Sequence, residues 1–151
     1  MELTVAVIGS GTPDARLDAL AERVGHLLAA AGATVVCGGL DGVMAAVCRG
    51  ARAAGGRTVG ILPGGDRGAA NAWVDLAMPT GMGEARNVLV VRAGRAVVAI
   101  GGGFGTLSEL AFARKLGVPV VAVSSWPLDD EGIIHVDTAD EAVRQVLELL
   151  A

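Results

Sequence analysis

Short runs of consecutive apolar residues alternate along the chain with longer stretches in which apolar residues recur every third or fourth position. That is how buried parallel strands joined by amphipathic crossover helices look in sequence. LTVAVIG predicts a first strand, and DARLDALAERVGHLLAAAG a first helix that Gly32 stops. TVVCGG reads as a second strand, DGVMAAVCRGARAAG as a helix from about Asp41, and RTVGILP as a third strand closed by Pro63. The segment GGDRGAANAWVDLAMPTGMG breaks the rhythm and reads as a loop holding a short strand at Val74 to Met78. Loops of this kind often carry function. Beyond it, EARNVLVVRAG predicts a helix, RAVVAIG a strand, FGTLSELAFARKLG a helix and VPVVAVS a strand. IIHVD reads as a short edge strand, and DTADEAVRQVLELLA as a closing helix capped by Asp137 or Thr138. The expected fold is α/β, a single-domain, doubly wound (Rossmann-like) parallel sheet with helices on both faces, spanning residues 1–151.

In such sheets ligands bind beyond the carboxyl ends of the strands, where the connections change direction. Those ends are IGSGTPD, CGGLDG, LPGGD and IGGGFGT, so every glycine cluster falls on one rim. Gly9 and Ser10 in the first cluster, and Gly39 and Asp41 in the second, are candidate ligand contacts. Ser10 could equally shape a turn, and Asp41 could cap a helix.

Composition changes this picture only at its edges. Apolar residues make up 52% of the chain and the mean hydropathy is +0.56, yet the most apolar stretch, NVLVVRAGRAVVAIGGG, is interrupted by Arg92 and Arg95. It cannot span a bilayer. No basic segment precedes the apolar run of MELTVAVIGS, so a cytoplasmic protein without a membrane partner is expected. A net charge of −4 with scattered Arg and Lys argues against a nucleic-acid partner. Cys37 and Cys48 fit no zinc or redox spacing and read as buried small hydrophobes. His26 reads as a helix-surface residue and His135 as lying near an edge strand, so neither a metal site nor a cofactor is expected. Trp73 is expected to close a corner of the core.

The glycines call for an anion. A helix N-terminus offers unpaired N–H groups and the positive end of the macrodipole, and glycines let a phosphate approach them. A dinucleotide fingerprint fails because Asp14 stands where GSGTPD would need its third glycine, and a Walker A loop fails because no Gly-Lys-Ser/Thr follows any cluster. Against the anion stands TLSE, where Thr106 and Glu109 have the spacing of a capping box. The two readings exclude each other, since a Glu folded over the helix start would meet a phosphate as a like charge.

GGGFGTLSE resembles the P-G-G-x-G-T-x-x-E motif of the Lonely Guy family of phosphoribohydrolases, related to the DNA-processing protein A superfamily. Arg86 in MGEARN falls where that family has the arginine of its M-x-x-R-K motif, and GGLDGVM is similar to its first glycine motif. The resemblance runs over about residues 3 to 123 and is strongest to the short subgroup that includes the molybdenum cofactor carrier proteins. It implies that Gly102, Gly103, Gly105 and Thr106 hold a 5′-phosphate and that Arg86 and Glu109 flank the ribose and its glycosidic bond. The activity it implies is hydrolysis of a nucleoside 5′-monophosphate to base and ribose 5-phosphate. Its alternative is non-catalytic carriage or sensing of a phosphorylated, nucleotide-like ligand such as molybdenum cofactor. In the hydrolase, the Glu109 carboxylate would stabilise an oxocarbenium-like state while Arg86 clamps oxygens. Three positions depart from the motifs: Gly101 replaces a proline, Asn87 a lysine, and Ser108 a frequent acidic residue. A homodimer or higher homo-oligomer is expected from the family and from the high apolar content.

Overall fold

The computed structural model describes residues 1–151. Seven strands form one parallel sheet: β1 (Thr4–Gly9), β2 (Thr34–Cys37), β3 (Thr58–Leu62), β4 (Leu76–Pro79), β5 (Ala96–Ile100), β6 (Val120–Val123) and β7 (Ile133–Val136). Their spatial order is β4-β3-β2-β1-β5-β6-β7. The chain therefore winds outward from β1 to β4, returns to the middle, and winds outward again from β5, which puts the switch point between β1 and β5. Five helices make the crossovers: α1 (Ala15–Ala30), α2 (Val43–Ala53), α3 (Asn87–Ala93), α4 (Phe104–Leu116) and α5 (Ala139–Leu150).

Side chains of one strand point alternately to the two faces. In β1, Val5 and Val7 join the core under α1, α2 and α5, while Ala6 and Ile8 join the core under α3 and α4. Both sets are buried, which explains why the strand reads as an unbroken apolar run. Two glycines bring α1 and α2 unusually close, because a Cβ at Gly25 would fall on the Val47 carbonyl oxygen and one at Gly50 on that of Glu22. Neither backbone can yield without separating the helices. Gly50→Ala should therefore destabilise the fold by about 1–3 kcal/mol, read as a lowered thermal midpoint with unchanged secondary structure at low temperature.

Several boundaries differ from the sequence expectation. The fourth strand starts at Leu76 and not Val74, because the preceding residues are tied into a turn. The Thr58 hydroxyl donates to the Trp73 carbonyl at 2.6 Å, and the Thr58 N–H donates to the Asp75 carboxylate at 2.9 Å. The second helix begins at Val43, since Gly42 turns the chain with φ +65°. The segment from Gly83 to Arg86 is a 3₁₀ turn before α3 begins. Thr138 caps α5, accepting from the Glu141 N–H at 3.1 Å. No helix is long and apolar enough to cross a membrane.

Candidate functional site

At the β1/β5 switch point the strand ends open onto a cleft of about 440 Å³, a volume suited to a small molecule. Gly9 to Thr12 enter it from β1, Gly38 from β2, Pro63 from β3, Arg86 and Asn87 from the turn into α3, and Gly103, Gly105, Thr106 and Glu109 from α4. Five successive connections thus each supply part of the wall.

The start of α4 differs from those of α1 and α5. Asp14 caps α1, accepting from the Leu17 N–H at 3.0 Å, and Thr138 caps α5. The N-cap of α4 is Gly103, and no side chain caps the helix. The first bond of that helix runs from the Leu107 N–H to the Gly103 carbonyl at 3.1 Å, and the amides of residues 102 to 106 donate to no protein acceptor. Such amides, with the macrodipole behind them, attract an anion. A Cβ built at Gly103 or Gly105 would meet nothing within 4 Å, so both face open space. The capping-box reading of Thr106 and Glu109 is corrected here. The helix starts at Phe104, which makes Thr106 its third residue and sends Glu109 a turn further on, into the cleft.

Gly102 does not line the cleft. It has φ +108° and lies against the Thr106 side chain, where any Cβ would collide. Its part in the loop is to let Thr106, 3% exposed, settle at the cleft wall. Gly101, in the proline position of the resembled motif, has φ +58°. A proline ring cannot adopt that angle, so this turn enters its loop by a different backbone path.

Arg86 is 8% exposed and its guanidinium is tied on three sides. Nε donates to the Ile61 carbonyl at 2.9 Å, Nη2 to the Gly38 carbonyl at 3.3 Å, and Nη1 to the Asn87 side-chain oxygen. Arg86 forms no salt bridge, and Asp75 pairs with Arg52 at 2.8 Å instead. Two of the five guanidinium hydrogens are left for a ligand. Asn87, in the position of the motif's lysine, orients this group instead of adding a second charge.

Glu109 is also 8% exposed and lines the cleft, and its carboxyl makes no hydrogen bond within the protein. Burial pushes its carboxyl up to about 8 against the opposing charge of Arg86. Burial likewise lowers the Arg86 guanidinium, with Glu109 opposing. At neutral pH the Glu109 carboxyl is therefore mostly protonated. A carboxyl that stays protonated in the folded chain but ionises in the unfolded one leaves the folded state holding more protons as pH rises. Its stabilising contribution is complete below about pH 4.5 and is lost as pH climbs to about 8. Chemical denaturation across pH 4 to 9 should show this decline, amounting to on the order of a few kcal/mol. Glu109→Gln should flatten it.

Gly9 and Ser10 line the cleft, and Ser10 also shapes its own turn, its hydroxyl oxygen accepting from the Thr12 N–H at 3.1 Å. Gly39 and Asp41 do not line it. Gly39 packs on Leu62 behind the wall, and Asp41 is exposed just before the Gly42 turn, capping nothing. The residues of CGGLDG that line the cleft are Leu40 and, one position before Gly39, Gly38. The only signal for the latter was the glycine pair itself. Trp73 packs at the edge of the core with the Arg49 guanidinium 5.2 Å from its ring centroid. His135 Nε2 bonds the Leu128 carbonyl at 2.8 Å on the edge strand, away from the cleft.

Residues 2–149 match the SLOG cluster4 family. The chain belongs to that family. An uncharacterized protein of Archaeoglobus fulgidus is 40% identical over 142 residues, 94% of this chain and 93% of that one. Among solved structures, the molybdenum cofactor binding protein of Rippkaea orientalis superposes with TM-score 0.93 at 28% identity, covering 100% of this chain and 99% of that one. The molybdenum cofactor carrier protein of Chlamydomonas reinhardtii superposes with TM-score 0.92 at 30% identity, over 99% of each chain. DNA processing protein A of Helicobacter pylori, whose single-stranded DNA binding mode has been described, shares the fold at 19% identity (TM-score 0.74, 97% of this chain and 80% of that one). The resemblance of the SLOG cluster4 chain to the carrier proteins, first visible in its glycine loop, thus extends over the whole fold.

Proposed function

We propose that this chain is a binding and carrier protein for a small phosphate-bearing molecule of the molybdenum cofactor type. The phosphate sits on the free amides at the head of α4 beside the Thr106 hydroxyl, and Arg86 supplies the one fixed positive charge. The observation that carries the reading is that run of unpaired amides opening onto the cleft. Likeness to cofactor carriers over essentially the whole chain supports the ligand class. The Glu109 carboxyl favours carriage over cleavage, because an acid mostly protonated at neutral pH offers little negative charge to an oxocarbenium-like state. Instead it serves as a hydrogen-bond donor to the ligand.

The test is to mix the reduced protein anaerobically with molybdenum cofactor released from a molybdoenzyme, pass the mixture through gel filtration, and measure molybdenum and pterin in the protein peak. Stoichiometric co-elution is expected, and its absence rejects the carrier. Hydrolysis of a nucleoside 5′-monophosphate remains a second reading, because Arg86 and Glu109 do share the cleft. Free base appearing on chromatography with wild type but not with Glu109→Gln would establish it in place of carriage. The reading includes a homodimer, supported by Leu76 and Met78 standing 55% and 47% exposed on the edge strand. Light scattering at micromolar concentration should return twice the chain mass. It excludes nucleic acid, in keeping with the net charge of −4, and gel-shift experiments with single-stranded DNA should be blank.

A further inference from the structure

Cys37 ends β2 and Cys48 lies in α2. Both are free thiols with no exposed surface, and their Sγ atoms are 3.5 Å apart, in van der Waals contact. The Cys37 sulfur also accepts the Gly39 N–H at 3.3 Å and approaches the Met44 carbonyl oxygen at 3.8 Å. The next residue, Gly38, lines the cleft and gives its carbonyl to Arg86. A thiol pair thus sits one peptide behind the group that orients the site's fixed charge.

We propose that Cys37 and Cys48 form a reversible disulfide when a small peroxide reaches them, and that closing this bond pulls the Gly38 carbonyl away from Arg86. The thiolate of Cys37 attacks one peroxide oxygen. The O–O bond breaks, hydroxide leaves and is protonated to water, and Cys37 becomes a sulfenic acid. The Cys48 sulfur then attacks the Cys37 sulfur, its proton passing to the departing hydroxide, which leaves as a second water. Two thiols lose two electrons and two protons, and hydrogen peroxide is reduced to two waters.

The surroundings assign the order of events. Hydrogen bonds from Cys48 and Gly39 and the charge of Arg86 favour the Cys37 thiolate against its burial, while the Cys48 thiol is pushed up by Cys37 and by burial. Cys37 is therefore the nucleophile and Cys48 the resolving thiol. Entry sets the size of the oxidant. Both thiols are fully buried, and a Cβ at Gly38 would meet Arg86 Nη2 at 2.6 Å and Met44 Sδ at 2.7 Å, so the wall between Cys37 and the cleft is closed until the flexible Met44 side chain moves aside. A water-sized peroxide needs the smallest such opening, whereas a tripeptide disulfide cannot reach a fully buried pair. A disulfide is about 2.05 Å long, so the sulfurs must close by about 1.5 Å from their present 3.5 Å. In a close-packed interior a shift of that size is passed to bonded neighbours. The nearest are the Gly39 N–H and, through one peptide, Gly38.

The experiment treats the purified, reduced chain with hydrogen peroxide and reads intact mass, peptide map and the arginine Nε–H signals in a ¹⁵N-correlated spectrum. A loss of about 2 Da, a Cys37–Cys48 cross-linked peptide and full reversal by dithiothreitol are expected. The Nε–H signal missing from Arg86→Lys should shift on oxidation and return on reduction. In Cys48→Ala, dimedone added together with denaturant after the peroxide should trap a sulfenic acid at Cys37. Addition of oxygen to methionine or cysteine with no cross-link would overturn the proposal, and a cross-link that leaves the Arg86 signal unmoved would overturn its coupling to the site. If either cysteine variant unfolds, the wild-type cross-link and spectrum still decide. None of these readouts depends on which ligand the cleft carries.

Discussion

Gly103→Asp should make the fold more stable and at the same time weaken binding of a phosphate-bearing ligand about a thousandfold. Gly103 is the N-cap of α4, its φ of −101° is open to any residue, and a Cβ there meets nothing within 4 Å. An Asp carboxylate would accept from the free amides of the first helical turn and sit favourably on the macrodipole. Restricting the unfolded chain adds to the gain, about 1 kcal/mol in total. The same carboxylate then occupies the anion position. Two like charges at about 4 Å repel by roughly 4 kcal/mol at an effective dielectric near 20, which is the thousandfold. A thermal melt and a calorimetric titration with a nucleoside 5′-monophosphate or molybdenum cofactor should move in opposite directions. A lower melting point with undiminished binding would mean that the head of α4 is not the phosphate seat.

Arg86→Met has the largest expected cost to the fold itself. The side chain is nearly as long, so the cavity left is small, but the Ile61 and Gly38 carbonyls lose their donor in a buried setting. Each orphaned acceptor costs about 1–3 kcal/mol, so a loss near 3 kcal/mol is expected, seen as a lower urea midpoint with an unchanged slope. Ligand binding should vanish with the only fixed cation of the cleft. Arg86→Lys separates the two effects. Its ammonium keeps the charge yet cannot reach three acceptors held in the plane of a guanidinium, so it should recover part of the binding and little of the stability. With Met at this position the Glu109 carboxyl loses the charge that holds it down and should titrate higher still. A pH titration of the variant, followed by carboxyl carbon NMR, tests that link.

The α/β architecture was legible because each strand and helix advertises itself within a few residues. The Val-rich runs of β1, β5 and β6 are buried on both faces, and Asp14 and Thr138 cap the helices they precede. The rim of glycines, Arg86 and Glu109 were legible too, through motif spacing, and the structure brings Gly9, Ser10, Arg86, Gly103, Gly105, Thr106 and Glu109 to one cleft. Gly39 and Asp41 were not separable from true lining residues, because adjacent loop positions with the same composition differ only in which way the turn faces. The thiol pair was invisible, since contact between the end of β2 and the middle of α2 depends on how the helix lies on the sheet.

Local pattern alone therefore determined the order of elements, the doubly wound class and the rim on which chemistry would gather, since hydrophobic periodicity and glycine placement act over a few neighbouring residues. Tertiary packing decided the rest. Leu17 and Thr106 pack against the loop in which Gly101 and Gly102 hold positive φ, and that loop sets where α4 begins. Each residue by which that start moves turns Glu109 by about 100° around the axis. Whether Glu109 caps its own helix or faces a ligand is thus a property of the assembled fold, because the contacts that choose between them come from segments distant in the chain.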